Sequence, residues 1–242
     1  MQCTYKLYAT VLLIMGLNAF QAAAQNIAIT PGKVRNEEGQ EIDGWVAHPE
    51  QPGDYATKMF EAFMKNSMGT KISRRAKTVL VAEKFKMEEV SPLRGDLRAV
   101  VTTGGNGTEI GFSFSPGYDI HFEPKQYPKE YAKLESFVRK YIKYHYTEYY
   151  KEQTAKTTKE ITNQKGDAEK LEARIAKLKD EAALNEKKAA DGKDSKAAEK
   201  NAKLQAEVDK YTGELTKLQG EITKLEETLT QMSTSMKKVS EL

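Results

Sequence analysis

The sequence predicts an α+β protein: a small antiparallel sheet with a packed helix, followed by a long antiparallel α-helical coiled-coil hairpin. Three observations carry that prediction. Residues 27 to 122 hold most of the β-branched and aromatic content, whereas residues 151 to 242 are mainly Ala, Lys, Glu, Leu, Gln and Thr, the composition of long helices. Within the second stretch apolar side chains return at Leu204, Val208, Tyr211, Leu215, Leu218, Ile222, Leu225, Leu229, Met232, Met236 and Val239, in alternating steps of three and four. A stripe this narrow, held over several heptads, needs a partner helix rather than a broad core. In the first stretch one helical pattern is followed by consecutive strand patterns without helical crossovers, the order of an antiparallel sheet covered on one face.

Composition bounds the rest. With 242 residues, 30% of them charged, and a mean hydropathy of −0.67, the chain is too polar for one compact core, so a small domain plus an elongated module is expected. The 38 Lys and Arg nearly cancel the 35 Asp and Glu, and no like-charged block stands out, which removes the electrostatic basis for nucleic-acid binding. Residues 1–24 read as an export signal: Lys6, the apolar run Ala9 to Leu17, then Ala22-Ala23-Ala24 as a small-residue cleavage site. The run is too short to span a bilayer comfortably, so no transmembrane segment is expected after cleavage. Cys3, the single cysteine, precedes the run, so it is not placed for lipidation and the mature chain is expected to carry no cysteine. Disulfides, thiol nucleophiles and Cys-ligated metals drop out together, and an exported, disulfide-free chain fits a bacterial periplasm or outer-membrane association.

Residues 25–127 are expected to form the α+β domain. Asn26 to Thr30 predicts a short strand, Val34 to Ile42 is polar with a turn at Gly39, and Gly44 to Ala47 predicts a strand ending at His48-Pro49. Gln51 to Asp54 is turn material with Asp54 as an N-cap; Ala56, Met59, Phe60, Phe63 and Met64 then recur at helical spacing, and Gly69 supplies a left-handed stop. Thr78 to Phe85 and Met87 to Val90 read as strands, broken at Ser91-Pro92. Leu97 to Thr103, Gly104 to Gly107 and Thr108 to Ser115 read as a β-hairpin whose Ile110, Phe112 and Phe114 alternate onto one face, and Ile120 to Phe122 as a last short strand.

Residues 128–150 predict an aromatic helix closing the domain, opened by Pro128 and striped by Tyr131, Leu134, Phe137, Val138, Tyr141 and Ile142. Residues 151–242 predict the coiled-coil hairpin, with a turn near 186–196 around Asp191-Gly192. Its first arm is seamed by Ile161, Ala168, Leu171, Ile175, Leu178 and Ala182, out of phase with the earlier stripe. Antiparallel folding about that turn sets Leu178 against Leu204, Ile175 against Val208, Leu171 against Tyr211, Ala168 against Leu215 and Ile161 against Ile222. On the outer surface Glu207 and Lys210, Glu214 and Lys217, Glu221 and Lys224 stand three apart and are expected to pair. The same seam would serve a parallel oligomer of the second arm, so intramolecular and intermolecular pairing both stay open.

Signatures of chemistry are sparse. The three histidines, His48, His121 and His145, have no metal-ligand spacing; Gly104 to Thr108 lacks the Gly-Lys-Ser/Thr ending of a phosphate loop; and no nucleophile elbow occurs. No catalytic residue, cofactor or metal is expected, and the chain is read as non-enzymatic. Arg94-Gly95-Asp96 matches an integrin-type tripeptide and is read as a chance occurrence with a Gly-Asp turn, while Asn106-Gly107-Thr108 is a glycosylation sequon at a hairpin tip, meaningful only in a host that glycosylates exported proteins. One stretch interleaves aromatic and basic residues: Tyr141, Tyr144, Tyr146 and Tyr149 with Lys140 and Lys143. Such a mixture can stack on sugars, so it is the candidate interaction surface. The competing reading has these tyrosines bridging the domain core to the base of the helical arm, with their hydroxyls in water.

These features predict an exported envelope scaffold, adaptor or assembly factor that meets envelope or secretion-related protein partners through its hairpin. In outline, residues 128 to 242 resemble the periplasmic holdase chaperones of the Skp type, which project helical hairpins from a β body; the resemblance implies suppression of client aggregation that depends on the hairpin. A different class stays open beside it: a glycan- or peptide-binding module oligomerised by its coiled coil.

Overall fold

The computed structural model describes residues 28–105, 107–117, 120–191 and 196–242. The predicted export signal with Cys3, Asn26 of the expected first strand, Asn106 of the sequon and residues 192–195 of the expected turn lie outside the described residues. The architecture is α+β. Six antiparallel strands are ordered β1-β2-β6-β5-β4-β3: β1 (Ile29–Arg35), β2 (Glu41–Ala47), β3 (Ser73–Arg74), β4 (Val79–Lys86), β5 (Arg94–Gly104) and β6 (Gly107–Ser115). Among the described residues three helices accompany them: α1 (Gly53–Asn66), α2 (Pro128–Ala190) and α3 (Ala197–Ser240). The chain divides into two compact units, one holding the residues up to Tyr150 together with Ser235–Leu242, the other Lys151–Thr234.

In the first unit strand alternation decides which face is covered. Trp45, Phe112 and Ala99 are direct neighbours across β2, β6 and β5, and Ala47, Ile110 and Val101 follow on the same face. Helix α1 buries Ala56, Met59, Phe60, Phe63 and Met64, the five residues its periodicity marks. Helix α2 buries Leu134, Phe137, Val138, Tyr141 and Ile142. Phe112 is the hub, with ring centres 5.4 Å from Phe60, 5.3 Å from Tyr141 and 6.3 Å from Phe137, so both helices press on one face of the sheet. Each such aromatic contact adds about 1 kcal/mol to the area it buries. The start of α2 is held by a reciprocal pair: Trp45 Nε1–H donates to the Tyr131 carbonyl at 2.8 Å, and the Tyr131 hydroxyl donates to the Gly44 carbonyl at 2.6 Å.

The other face is covered by the chain itself. Val34, Ile42, Val79, Val81 and Val100 form a second apolar cluster beneath the β1–β2 hairpin. Gly44 makes this approach feasible, because a Cβ there would lie 2.2 Å from the Phe112 carbonyl oxygen and 2.7 Å from Val34 Cγ2. The hairpin tip is closed by Arg98, whose Nε and Nη2 reach the two Glu37 carboxylate oxygens at 2.9 and 3.3 Å; this hydrogen-bonded cation holds the Glu37 carboxyl below its usual pKa.

Several local expectations are corrected. The first described strand, Ile29–Arg35, runs on past the expected end at Thr30, and with Glu41–Ala47 it turns the polar stretch from Val34 to Ile42 into a hairpin. Pro31 and Gly32 mask β1 in the sequence; they are tolerated because it is an edge strand. The N-cap of α1 is Pro52 rather than Asp54, its carbonyl accepting from the N–H groups of Tyr55 at 2.9 Å and Ala56 at 3.0 Å, while Asp54 sits in the first turn where the helix dipole favours it. Met87 to Val90 is a turn, not a strand: the N–H groups of Val90 and Ser91 both close on the Met87 carbonyl at 2.8 Å, which buries Met87 and Val90 side by side. Ile120 to Phe122 makes a single bridge to Gly117 rather than a strand, and Phe122 instead stacks on Phe114 at 5.1 Å.

Candidate functional site

In the second unit α2 and α3 pack together through two apolar clusters. One joins Ile161 and Ala168 of α2 to Ile222 and Leu225 of α3, flanked by Leu215, Leu218 and Leu229. The other joins Ile175 and Leu178 to Val208, flanked by Leu204, Tyr211 and Leu215. Leu171 is half-buried, and Met232 is buried with its Sδ 3.9 Å from Thr154 Oγ1. The surface charges are arranged differently from the expected intrahelical pairs. Glu207 turns to Arg174 at 3.7 Å and Glu226 to Lys165 at 2.7 Å, both on α2, because residues flanking a seam face the opposite helix. Lys210 lies 5.6 Å over the Tyr211 ring, and among the described residues Lys210, Lys217 and Lys224 form no ion pair. Two polar atoms, Gln164 Oε1 and Asn201 Oδ1, are buried without a hydrogen bond, a local cost of about 1–3 kcal/mol each.

The six residues of the candidate aromatic surface do not share one face in the first unit. Tyr141 and Tyr146 are closed off from solvent, at 0% and 2% exposure, so nothing can stack on them from outside. The Tyr141 hydroxyl donates to the Ala56 carbonyl at 3.0 Å and lies 3.3 Å from His145 Nδ1. Tyr144 packs on Phe63 and accepts a hydrogen bond from Asn66 Nδ2 at 3.3 Å, while Tyr149 sets its edge against Tyr55 at 5.7 Å. Lys140 pairs with Glu89, and Lys143 Nζ donates to the Ser240 carbonyl at 2.5 Å.

His145 stands at the centre of that cluster. It is fully buried; Nε2 lies 2.7 Å from Gln51 Oε1, and the rings of Tyr55 and Tyr146 meet it edge-on at 5.5 and 5.2 Å. Burial pushes its pKa down to about 4, so the ring is neutral at pH 7. Burial also lifts the Tyr141 and Tyr146 phenols above their ordinary range, the Tyr131 phenol to about 12, and the Glu50 carboxyl above its usual value. Nε2 faces the Gln51 amide oxygen and Nδ1 faces the Tyr141 hydroxyl, so both imidazole nitrogens point into the protein and the ring belongs to a packing network.

Sequence patterns do not mark a polar cleft of about 330 Å³ in the first unit, between the β1–β2 hairpin and the segment leading into α2. Lys33, Glu41, Ile42 and Asp43 line one side; Ile120, His121, Glu123, Gln126 and Tyr127 line the other. Lys33 and Asp43 bridge at 2.9 Å, and Glu41 takes Arg35 at 3.2 Å. The lining comes from segments some eighty residues apart, so no local motif announces it. The remaining histidine, His48, is half-exposed with Nδ1 4.0 Å from Glu109. Among the described residues no group of three or more His, Asp or Glu side chains could hold a metal ion.

The Arg94-Gly95-Asp96 tripeptide is built into the sheet. A Cβ at Gly95 would lie 2.4 Å from the Ser115 carbonyl oxygen and 2.7 Å from the Phe114 ring. Asp96 Oδ1 accepts the N–H of Lys84 at 2.9 Å, the residue at φ 47° in the β4 bulge. Packing and bulge geometry account for the Gly and the Asp without a receptor.

No protein-family model, curated protein or solved structure matches the chain. No described helix is long and apolar enough to cross a membrane.

Proposed function

We propose that this chain is a non-catalytic exported envelope protein that acts as a scaffold, adaptor or assembly factor through a coiled-coil hairpin made by α2 and α3. The observation that carries this reading is the seam of the second unit. Ile161, Ala168, Ile175 and Leu178 meet Val208, Ile222 and Leu225 in reversed order along the two helices, the sense of a chain doubling back. Outside the seam that unit is polar, with ion pairs across the helices at Lys165–Glu226 and Arg174–Glu207 and along them at Asp167–Lys170 and Glu199–Lys203.

The experiment places a photo-crosslinking residue at exposed positions of either unit in the full chain, in cells, and reads adduct mass by gel after fractionation. Lys177 and Lys217 report on the second unit, Lys58 and Lys125 on the first. A discrete envelope-fraction adduct from Lys177 or Lys217 that is absent from Lys58 and Lys125 supports the reading. Adducts confined to the first-unit positions, or a protein retained in the cytoplasm with residues 1–24 uncleaved, overturn it.

A further inference from the structure

We propose that the cleft between the β1–β2 hairpin and the entry to α2 binds a short uncharged saccharide, independently of any partner of the second unit. Its volume of about 330 Å³ lies at the small end of ligand sites, the scale of one or two sugar rings. The wall on the α2 side is rigid: the Tyr127 ring lies 5.6 Å from Phe122, which stacks on Phe114 of β6 at 5.1 Å. Tyr127 N–H closes on the Glu123 carbonyl at 2.9 Å, a main-chain turn that carries both residues on one side of the cleft. A half-buried aromatic ring held this firmly offers a face for the C–H side of a sugar at little entropic cost.

The polar groups decide what kind of ligand fits. Lys33 is matched by Asp43 at 2.9 Å and Glu41 by Arg35 at 3.2 Å, so these four charges are met within the protein. The Glu123 carboxylate, the Gln126 amide and the Tyr127 hydroxyl make no ion pair or side-chain hydrogen bond among the described residues. One unmatched carboxylate repels an anion, yet a lone carboxylate is too few ligands for a hard cation. A planar carboxylate and a planar amide each address two neighbouring hydroxyls at once, which is the pattern a neutral polyol presents. Ile42 and Ile120 supply the apolar edges.

The full chain carries its own reporter, since its single tryptophan, Trp45, packs on Tyr131 at 5.1 Å, one helical turn beyond Tyr127. Titration of the full chain with N,N′-diacetylchitobiose and with maltose, each to about 20 mM, is followed by Trp45 fluorescence and by calorimetry, with digalacturonate and putrescine as charged contrasts. Saturable binding of either neutral disaccharide, weakened about tenfold by Glu123→Gln and by Tyr127→Ala, is the expected result. Should Tyr127→Ala fail to fold, Gln126→Ala takes its place. Absence of saturable binding by both neutral disaccharides in both assays, preference for digalacturonate or putrescine, or binding unmoved by the substitutions would each overturn the proposal.

Discussion

Acidification from pH 6.5 to 4 is expected to destabilise this protein chiefly through His145. An unfolded histidine titrates near 6.5, and in the folded chain burial lowers the pKa to about 4. Above pH 6.5 both states hold the ring neutral, and the packing around it contributes in full. Between pH 6.5 and 4 the unfolded chain takes up a proton that the folded chain refuses, so stability falls by about 1.4 kcal/mol per pH unit, about 3 kcal/mol in all. Glu50, whose carboxyl is raised by burial, works in the opposite sense: the folded state gains its proton first as pH falls, which offsets part of the loss. The other groups around His145 are the phenols of Tyr55, Tyr141 and Tyr146 and the Gln51 amide, and burial moves the Tyr141 and Tyr146 phenols further above this window. The assay is urea unfolding followed by Trp45 fluorescence at half-unit steps from pH 7.5 to 4, for the natural chain and for His145→Gln. The variant starts less stable but lacks the steep fall, and the difference between the two profiles isolates His145. Parallel profiles over the whole range would refute the reasoning.

Other expectations follow from single contacts. Gly95→Ala is expected to cost more than about 2 kcal/mol by forcing a methyl against Ser115 and Phe114, and Asp96→Ala about 1 kcal/mol by freeing the Lys84 N–H in its bulge; equilibrium unfolding measures both, and a neutral Gly95→Ala would contradict the packing. Gln164→Leu is expected to raise the stability of the second unit by about 1 kcal/mol, because its buried carbonyl oxygen has no partner, while Leu178→Ala, at a 1% exposed position, should lower it by about 2–4 kcal/mol; thermal melts monitored at the helical circular dichroism band report both. Tyr131→Phe removes the 2.6 Å hydrogen bond to the Gly44 carbonyl, with an expected loss of about 1 kcal/mol and a shift in Trp45 emission; an unchanged emission maximum would show that the Trp45–Tyr131 clamp is not formed.

What the sequence disclosed, and what it hid, follows from how local each signal is. The buried face of α1 was legible because Ala56, Met59, Phe60, Phe63 and Met64 all obey one helical period, and β6 because Ile110, Phe112 and Phe114 obey the period of two. The edge strand β1 was hidden by Pro31 and Gly32, which lower strand propensity but cost little where one side of the backbone needs no partner. Met87 and Val90 misled because two apolar residues three apart also fit a buried turn. Charge pairing across the helices defeated the i,i+3 rule, since Glu207 has a cation on the opposite helix within reach as well as one on its own. Tyrosines and lysines close in sequence read as one surface, yet a helix turns 100° per residue, and Tyr141 and Tyr146 point inward. The cleft was illegible for the plainest reason: Lys33 and Asp43 meet Glu123 and Tyr127 only once the sheet has brought their segments together.

The most direct measurement concerns whether α2 and α3 of one chain are partners. Ile175 and Val208 belong to one buried cluster, and a chain starting at residue 25 contains no other cysteine, so Ile175→Cys with Val208→Cys gives a clean pair. Oxidised at high dilution, a hairpin within one chain yields a monomeric disulfide species with altered gel mobility, and mixing it with a heavier-tagged copy yields no hybrid. Exclusively disulfide-linked dimers, with hybrids forming freely, would contradict the hairpin and place the seam between chains.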